Sequence, residues 1–120
     1  MNNNPVWEQL RPFSDILARV EELQWEQDVD TEIVKAKILF TDGSNLRILE
    51  SVINGKLVAY SYYWLDESNQ LIVGWDNAPH HKDIKTYPHH KHIGKQTSVA
   101  ISNEHSLKDV LRFIYNILEK

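Results

Sequence analysis

Leu46-Arg47-Ile48-Leu49-Glu50-Ser51-Val52-Ile53-Asn54-Gly55-Lys56-Leu57-Val58-Ala59-Tyr60-Ser61-Tyr62-Tyr63-Trp64-Leu65 reads as two strands and the turn that joins them. Both flanks are rich in branched and aromatic side chains, which suit a pleated surface, and Asn54-Gly55 supplies residues that accept the backbone of a tight hairpin turn. Working outward, residues 33–41 and 71–76 have the same character. They are set off by Asp42-Gly43-Ser44-Asn45 and by Asp66-Glu67-Ser68-Asn69, whose side chains and glycine serve turns. The economical reading is a four-stranded antiparallel meander over residues 32–76, with Val99-Ala100-Ile101 a candidate fifth strand.

Apolar residues on either side of this block recur at helical spacing. Phe13, Ile16, Leu17, Val20 and Leu23 predict an N-terminal helix over 12–26, with Pro12 or Ser14 near its start. Leu107, Val110, Leu111, Ile114, Ile117 and Leu118 predict a C-terminal helix over 106–119, with Ser106 and Asp109 spaced as in a capping box. Two striped helices need a surface to cover, so the expected fold is α+β, one domain spanning 1–120, with both helices packed on one face of the sheet. The connection before the last helix is far longer than usual, and its histidine-rich part, 76–98, is read as a loop of the kind that is functional or disordered.

Composition narrows the chemistry. The 120 residues include no cysteine, which removes thiol catalysis, disulfides and thiolate metal sites. No apolar run approaches the length needed to span a bilayer, and Met1-Asn2-Asn3-Asn4-Pro5 lacks the basic-then-apolar order of a signal peptide, so the cytoplasm is the expected location and no membrane partner is expected. The net charge of -4 is unevenly spread: residues 1–32 hold eight acids against two arginines, whereas Lys82, Lys85, Lys91 and Lys95 outnumber Asp76 and Asp83 between Trp75 and Lys95. That segment is either a local phosphate-binding site on an acidic protein or a solvated loop.

Five of the six histidines lie in Pro79-His80-His81-Lys82 and Pro88-His89-His90-Lys91-His92. Imidazole exchanges protons near neutrality and is the commonest metal ligand. In an extended stretch His90 and His92 point one way and His89 the other, so a pair could chelate with Asp76, Glu50 or His81 as an outside ligand. The spacing matches no recognised metal motif, and no cofactor is expected. Cleaving RNA at its own 2′-hydroxyl needs a base, an acid and a cation for the phosphorane charge, which two histidines and a lysine or arginine provide without metal. His80, His81, His89, His90 and His92 are the candidate acid–base residues, with Asp76 either orienting an imidazole or capping a turn. Pro79 and Pro88 fix the backbone at the start of each pair and bias Ala78 and Tyr87 to extended conformations. Lys91 and Arg47 are the candidate phosphate-binding cations, and Tyr62 and Tyr87 the candidate substrate-binding aromatics. Tyr60, Tyr62 and Trp64 share one strand face, either as core or as a platform on which bases stack. Arg47 and Glu50 fall on opposite faces of their strand.

Tyr60-Ser61-Tyr62-Tyr63-Trp64, then Gly74-Trp75-Asp76-Asn77-Ala78-Pro79-His80-His81 and Tyr87-Pro88-His89-His90-Lys91-His92, resembles the TumE family, the toxin half of type II toxin-antitoxin pairs. The similarity runs from about Thr41 through the last helix, and the first 30 residues are less distinctive. The resemblance implies a cytoplasmic growth inhibitor partnered with an antitoxin that carries a helix-turn-helix DNA-binding domain, and a ribonuclease activity. By this likeness the matching positions are Asp76, His80, His81, His89, His90, Lys91 and His92. The expected activity is therefore metal-independent RNA cleavage. A non-enzymatic binding module whose histidine loop contacts a partner protein is the alternative, and a metal-dependent nuclease the third reading. A homodimer is compatible with the sequence, which does not fix the oligomeric state.

Overall fold

The computed structural model describes residues 5–119; Met1 to Asn4, on which the signal-peptide reading partly rests, and Lys120 lie outside the described residues. The elements run α1 (Pro5–Leu10), a 3-10 turn (Arg11–Ile16), β1 (Leu17–Gln27), β2 (Thr31–Phe40), β3 (Asn45–Ile53), β4 (Lys56–Leu65), β5 (Leu71–Asp76), β6 (His90–Ile93), β7 (Val99–Ile101) and α2 (Leu107–Leu118). The strands form one seven-stranded sheet in sequential order, every neighbouring pair antiparallel. The α+β class and the meander hold, but the sheet has seven strands rather than four or five.

The expected helix over 12–26 is the principal correction. Its first part is the 3-10 turn, and the remainder is β1. The register of β1 on β2 slips between Leu17 and Arg19 and again between Glu21 and Gln24, each time taking one extra residue on β1. Each bulge restores the inward direction one residue late, so Leu17, Val20 and Leu23 all pack on the core at intervals of three. Glu22, with φ of 54°, sits in the second bulge. Two irregularities in a period-two strand thus imitate a helical stripe.

β6 was hidden for a different reason: His90-Lys91-His92-Ile93 carries few of the side chains by which strands are recognised. The segment 76–98 is therefore not one loop, because β6 pairs with β5 and β7 within it. The C-terminal helix is as expected, with the Ser106 side chain accepting from the Asp109 N–H. The Asp109 carboxylate accepts in turn from the His105 N–H, one residue before the cap.

One face of the sheet is dry. Val34, Ala36, Ile38, Phe40, Leu46, Ile48, Tyr60, Tyr62, Trp64, Val73 and Trp75 form a single core with Val6, Leu10, Phe13 and Ile16 from the N-terminal segment and Leu107, Val110, Leu111 and Ile114 from α2. Burying one such large side chain stabilises by about 1.5–3 kcal/mol, so this layer sets which face the helices take. The opposite face carries the alternate residues. Among the described residues no helix is long and apolar enough to cross a membrane.

Candidate functional site

Strand register sorts the chemistry-bearing residues by face. Asp76 pairs with His90 across β5 and β6, and Gly74 pairs with His92. All four alternate with the core residues Val73 and Trp75, so they lie on the face away from the helices. His90 and His92 are only 2% and 7% exposed there, and Asp76 9%. The Asp76 carboxylate sits between the imidazoles, with Oδ1 at 3.0 Å from His90 Nε2 and Oδ2 at 3.3 Å from His92 Nε2. The Ala78 N–H donates to Oδ1 at 3.0 Å and fixes the carboxylate.

The other nitrogen of each ring is committed to backbone. His90 Nδ1 lies 3.0 Å from the Pro88 carbonyl and His92 Nδ1 2.8 Å from the Gln96 carbonyl. A carbonyl only accepts, so both Nδ1 atoms carry the proton. His81 completes the group from the loop between β5 and β6, with its ring centroid 4.7 Å from that of His90 and 6.1 Å from that of His92. It is partly exposed, and its ring has no hydrogen-bond partner among the described residues.

Two cross-strand rows connect this cluster to the rest of the open face. One runs Lys37, Arg47, Tyr63, Gly74, His92 from β2 to β6, and the next runs Lys35, Leu49, Ser61, Asp76, His90. Tyr63 interacts with Asp76, Ser61 and Gln96; burial, reinforced by the Asp76 charge, pushes its phenol pKa up. A shallow cavity of about 220 Å³ lies alongside, lined by Glu22, Lys35, Arg47, Leu49 and Ser61. Arg47 is exposed, with Nε donating to Asn45 Oδ1, while Lys37 is 3.9 Å from the Glu21 carboxylate.

The remaining sequence candidates lie elsewhere. Tyr62 is fully buried in the core, so it is not a substrate-binding ring, and the Tyr60, Tyr62 and Trp64 face is core because the helices cover it. Glu50 is buried on that same face, accepting from the Tyr62 hydroxyl, and burial raises its carboxyl pKa. It cannot join Asp76. Lys91 pairs with Trp75 and therefore points toward the helices, where Nζ meets Glu104 Oε1 at 3.0 Å and lies 5.0 Å from the Phe113 ring centroid. The expected phosphate cation is thus held in an ion pair on the face opposite the histidine cluster. His80 and Tyr87 are exposed in the connecting loop.

His89 also leaves the cluster. Its ring stacks on that of His105 at 3.8 Å and its Nδ1 lies 2.7 Å from the Tyr60 hydroxyl. Burial, then the charges of His105 and His90, lower the His89 pKa, whereas burial and nearby carboxylates raise that of Tyr60. The phenol therefore keeps its proton, and its hydroxyl and His89 Nδ1 share a hydrogen bond. His105 and Tyr63 were not among the sequence candidates. Tyr63 was recoverable: once Tyr62 is core, its neighbour must face the other way. The contact of His105 with His89 has no counterpart in local spacing.

A family model described as toxin TumE matches residues 9–118. The match begins well before Thr41, so the N-terminal segment belongs to the likeness too. No curated protein and no solved structure matches the chain.

Proposed function

The chain belongs to the TumE toxin family, and from that premise we propose that it acts as an endoribonuclease whose substrate lies across the open sheet face and is cut beside His81. Family membership makes the protein the toxin of a toxin-antitoxin system, with a cognate antitoxin as its partner. The observation that carries the cleavage reading is the two rows that lead from Lys35, Lys37 and Arg47 to His81, Asp76, His90 and His92 on one face.

In this reading Arg47 and Lys35 hold phosphates of a single strand. His81 is the group that exchanges a proton with the substrate, because its ring is accessible and has no competing hydrogen bond. His90 and His92 do not make the acid–base pair, since both nitrogens of each ring already face protein atoms. His80, exposed next to His81, and Tyr87 are at most contacts to the strand. The cognate antitoxin, expected to carry a helix-turn-helix domain, inhibits by covering the same face.

The test is incubation of purified protein with a mixed RNA substrate beside the His81→Ala variant. The expected result is cleavage by the unaltered chain and a fall of about 10²–10⁴-fold in the variant, the usual contribution of a positioned proton-transfer group. Equal cleavage by both would remove His81 from the mechanism. Intact RNA throughout, with antitoxin binding lost on the same substitution, would favour a non-enzymatic binding module.

A further inference from the structure

The proton positions at His90 and His92 leave an electrostatic problem at the heart of the cluster. Each imidazole donates Nδ1–H to a carbonyl, so in its neutral form each presents a bare lone pair at Nε2. Those lone pairs are aimed at the two oxygens of Asp76, which also only accept when ionised. Three acceptors within 4.8 Å of one another, nearly sealed from water, repel unless something positive stands between them.

The geometry points to a divalent first-row transition metal, of the zinc class, bound by His90 Nε2, His92 Nε2 and the Asp76 carboxylate. Four independent features agree. Two imidazole nitrogens and one carboxylate oxygen form a donor set suited to such ions rather than to calcium or magnesium. One ligand atom from each of the three residues lies within 4.8 Å of the others, close enough to converge on one ion at bond lengths near 2.0–2.1 Å. Both histidines donate their remote N–H to backbone carbonyls, and the Ala78 N–H supports the carboxylate, which is the outer support that metal ligands usually have. The rings of His90 and His92 meet edge to face, centroids 5.0 Å apart at 84°, so they converge instead of stacking.

Three protein ligands leave a coordination position open, and His81 borders the site. Binding of the ion stands on the geometry alone, whereas its chemical role rests on the cleavage reading above. When bound there it would neutralise charge on a phosphoryl oxygen, the task expected of Lys91 from its place in the sequence. His81 then keeps its part in proton transfer.

The experiment uses the full chain, stripped with chelator and titrated with Zn²⁺ by calorimetry. One ion per chain is expected, with affinity reduced at least 100-fold in both Asp76→Asn and His92→Ala and unchanged in Lys108→Ala. Because a buried substitution can unfold the chain, the unaltered protein is also loaded with Co²⁺, whose visible absorption should intensify and shift from that of the aqueous ion. Absence of stoichiometric Zn²⁺ binding, or a Co²⁺ spectrum identical to that in buffer, would overturn the inference. Metal binding with intact RNA would uphold the site and remove cleavage, while RNA cleavage in excess chelator without metal binding would do the reverse.

Discussion

Gly74 has a steric task that no other residue type meets. A Cβ at this position would lie 2.5 Å and 2.6 Å from ring atoms of Tyr63, so the tyrosine lies across the glycine on its way toward Asp76. Gly74→Ala must push that ring aside, and overpacking of this kind costs about 1–3 kcal/mol. A lower midpoint in urea denaturation is expected, and the loss should largely vanish in a Tyr63→Ser background, where the opposing ring is absent. His89 offers a second residue-level measurement. Burial and the neighbouring His105 and His90 depress its pKa, so the folded chain binds fewer protons there than the unfolded chain does. The stability this confers is complete above the unfolded value of about 6.5 and is lost as pH falls toward the depressed one. In an NMR titration the His89 midpoint should lie below the ordinary value and rise in His105→Ala; an unmoved midpoint would show that the stacked ring contributes no repulsion.

At the level of elements, the two ends of the chain differed in how much the sequence disclosed. For α2, Ser106 marks the start and the apolar stripe marks the buried side; both are found, except that Ile117 of the stripe is exposed. Ser106→Ala removes the acceptor for the Asp109 N–H and should lower stability by about 1 kcal/mol in thermal or chemical unfolding. For β1 the stripe misled, because the bulges that bring Leu17, Val20 and Leu23 to one side depend on pairing with β2 and leave no local sign. The turn at Asn54 and Gly55, with φ of 51° and 78°, was legible because left-handed backbone is a property of those residues themselves. The site shows the same division. Asp76, His90 and His92 were candidates from composition, but their meeting, and the departure of Lys91 and His89, follow from the register of β5 and β6. Alternation separates Lys91 from its histidine neighbours with certainty once β6 is known to be a strand.

Across the whole molecule, a net charge of -4 coexists with a basic strip, because the sheet gathers Lys35 and Arg47 on the open face. If that strip tracks a single strand of RNA, Arg47→Glu and Lys35→Glu should each weaken binding of unrelated sequences alike. Each should also reduce the slope of log affinity against log salt by roughly 0.7 for every phosphate that is no longer neutralised. Anisotropy titrations of a labelled RNA over several salt concentrations would show this, and Lys108→Glu, on exposed α2 surface, should change little. An unaltered slope in the strip variants would separate the strip from the nucleic acid. The bulged first strand has a further effect, on the company the protein keeps. An open sheet ends in two rows of unpaired backbone groups that invite another chain to add a strand. Here one border is bent twice and studded with Glu21, Glu22 and Glu26, and the other is three residues long. Neither is a template for fibrillar growth or for capture by strand addition, so recognition of this molecule falls to the side chains on its faces.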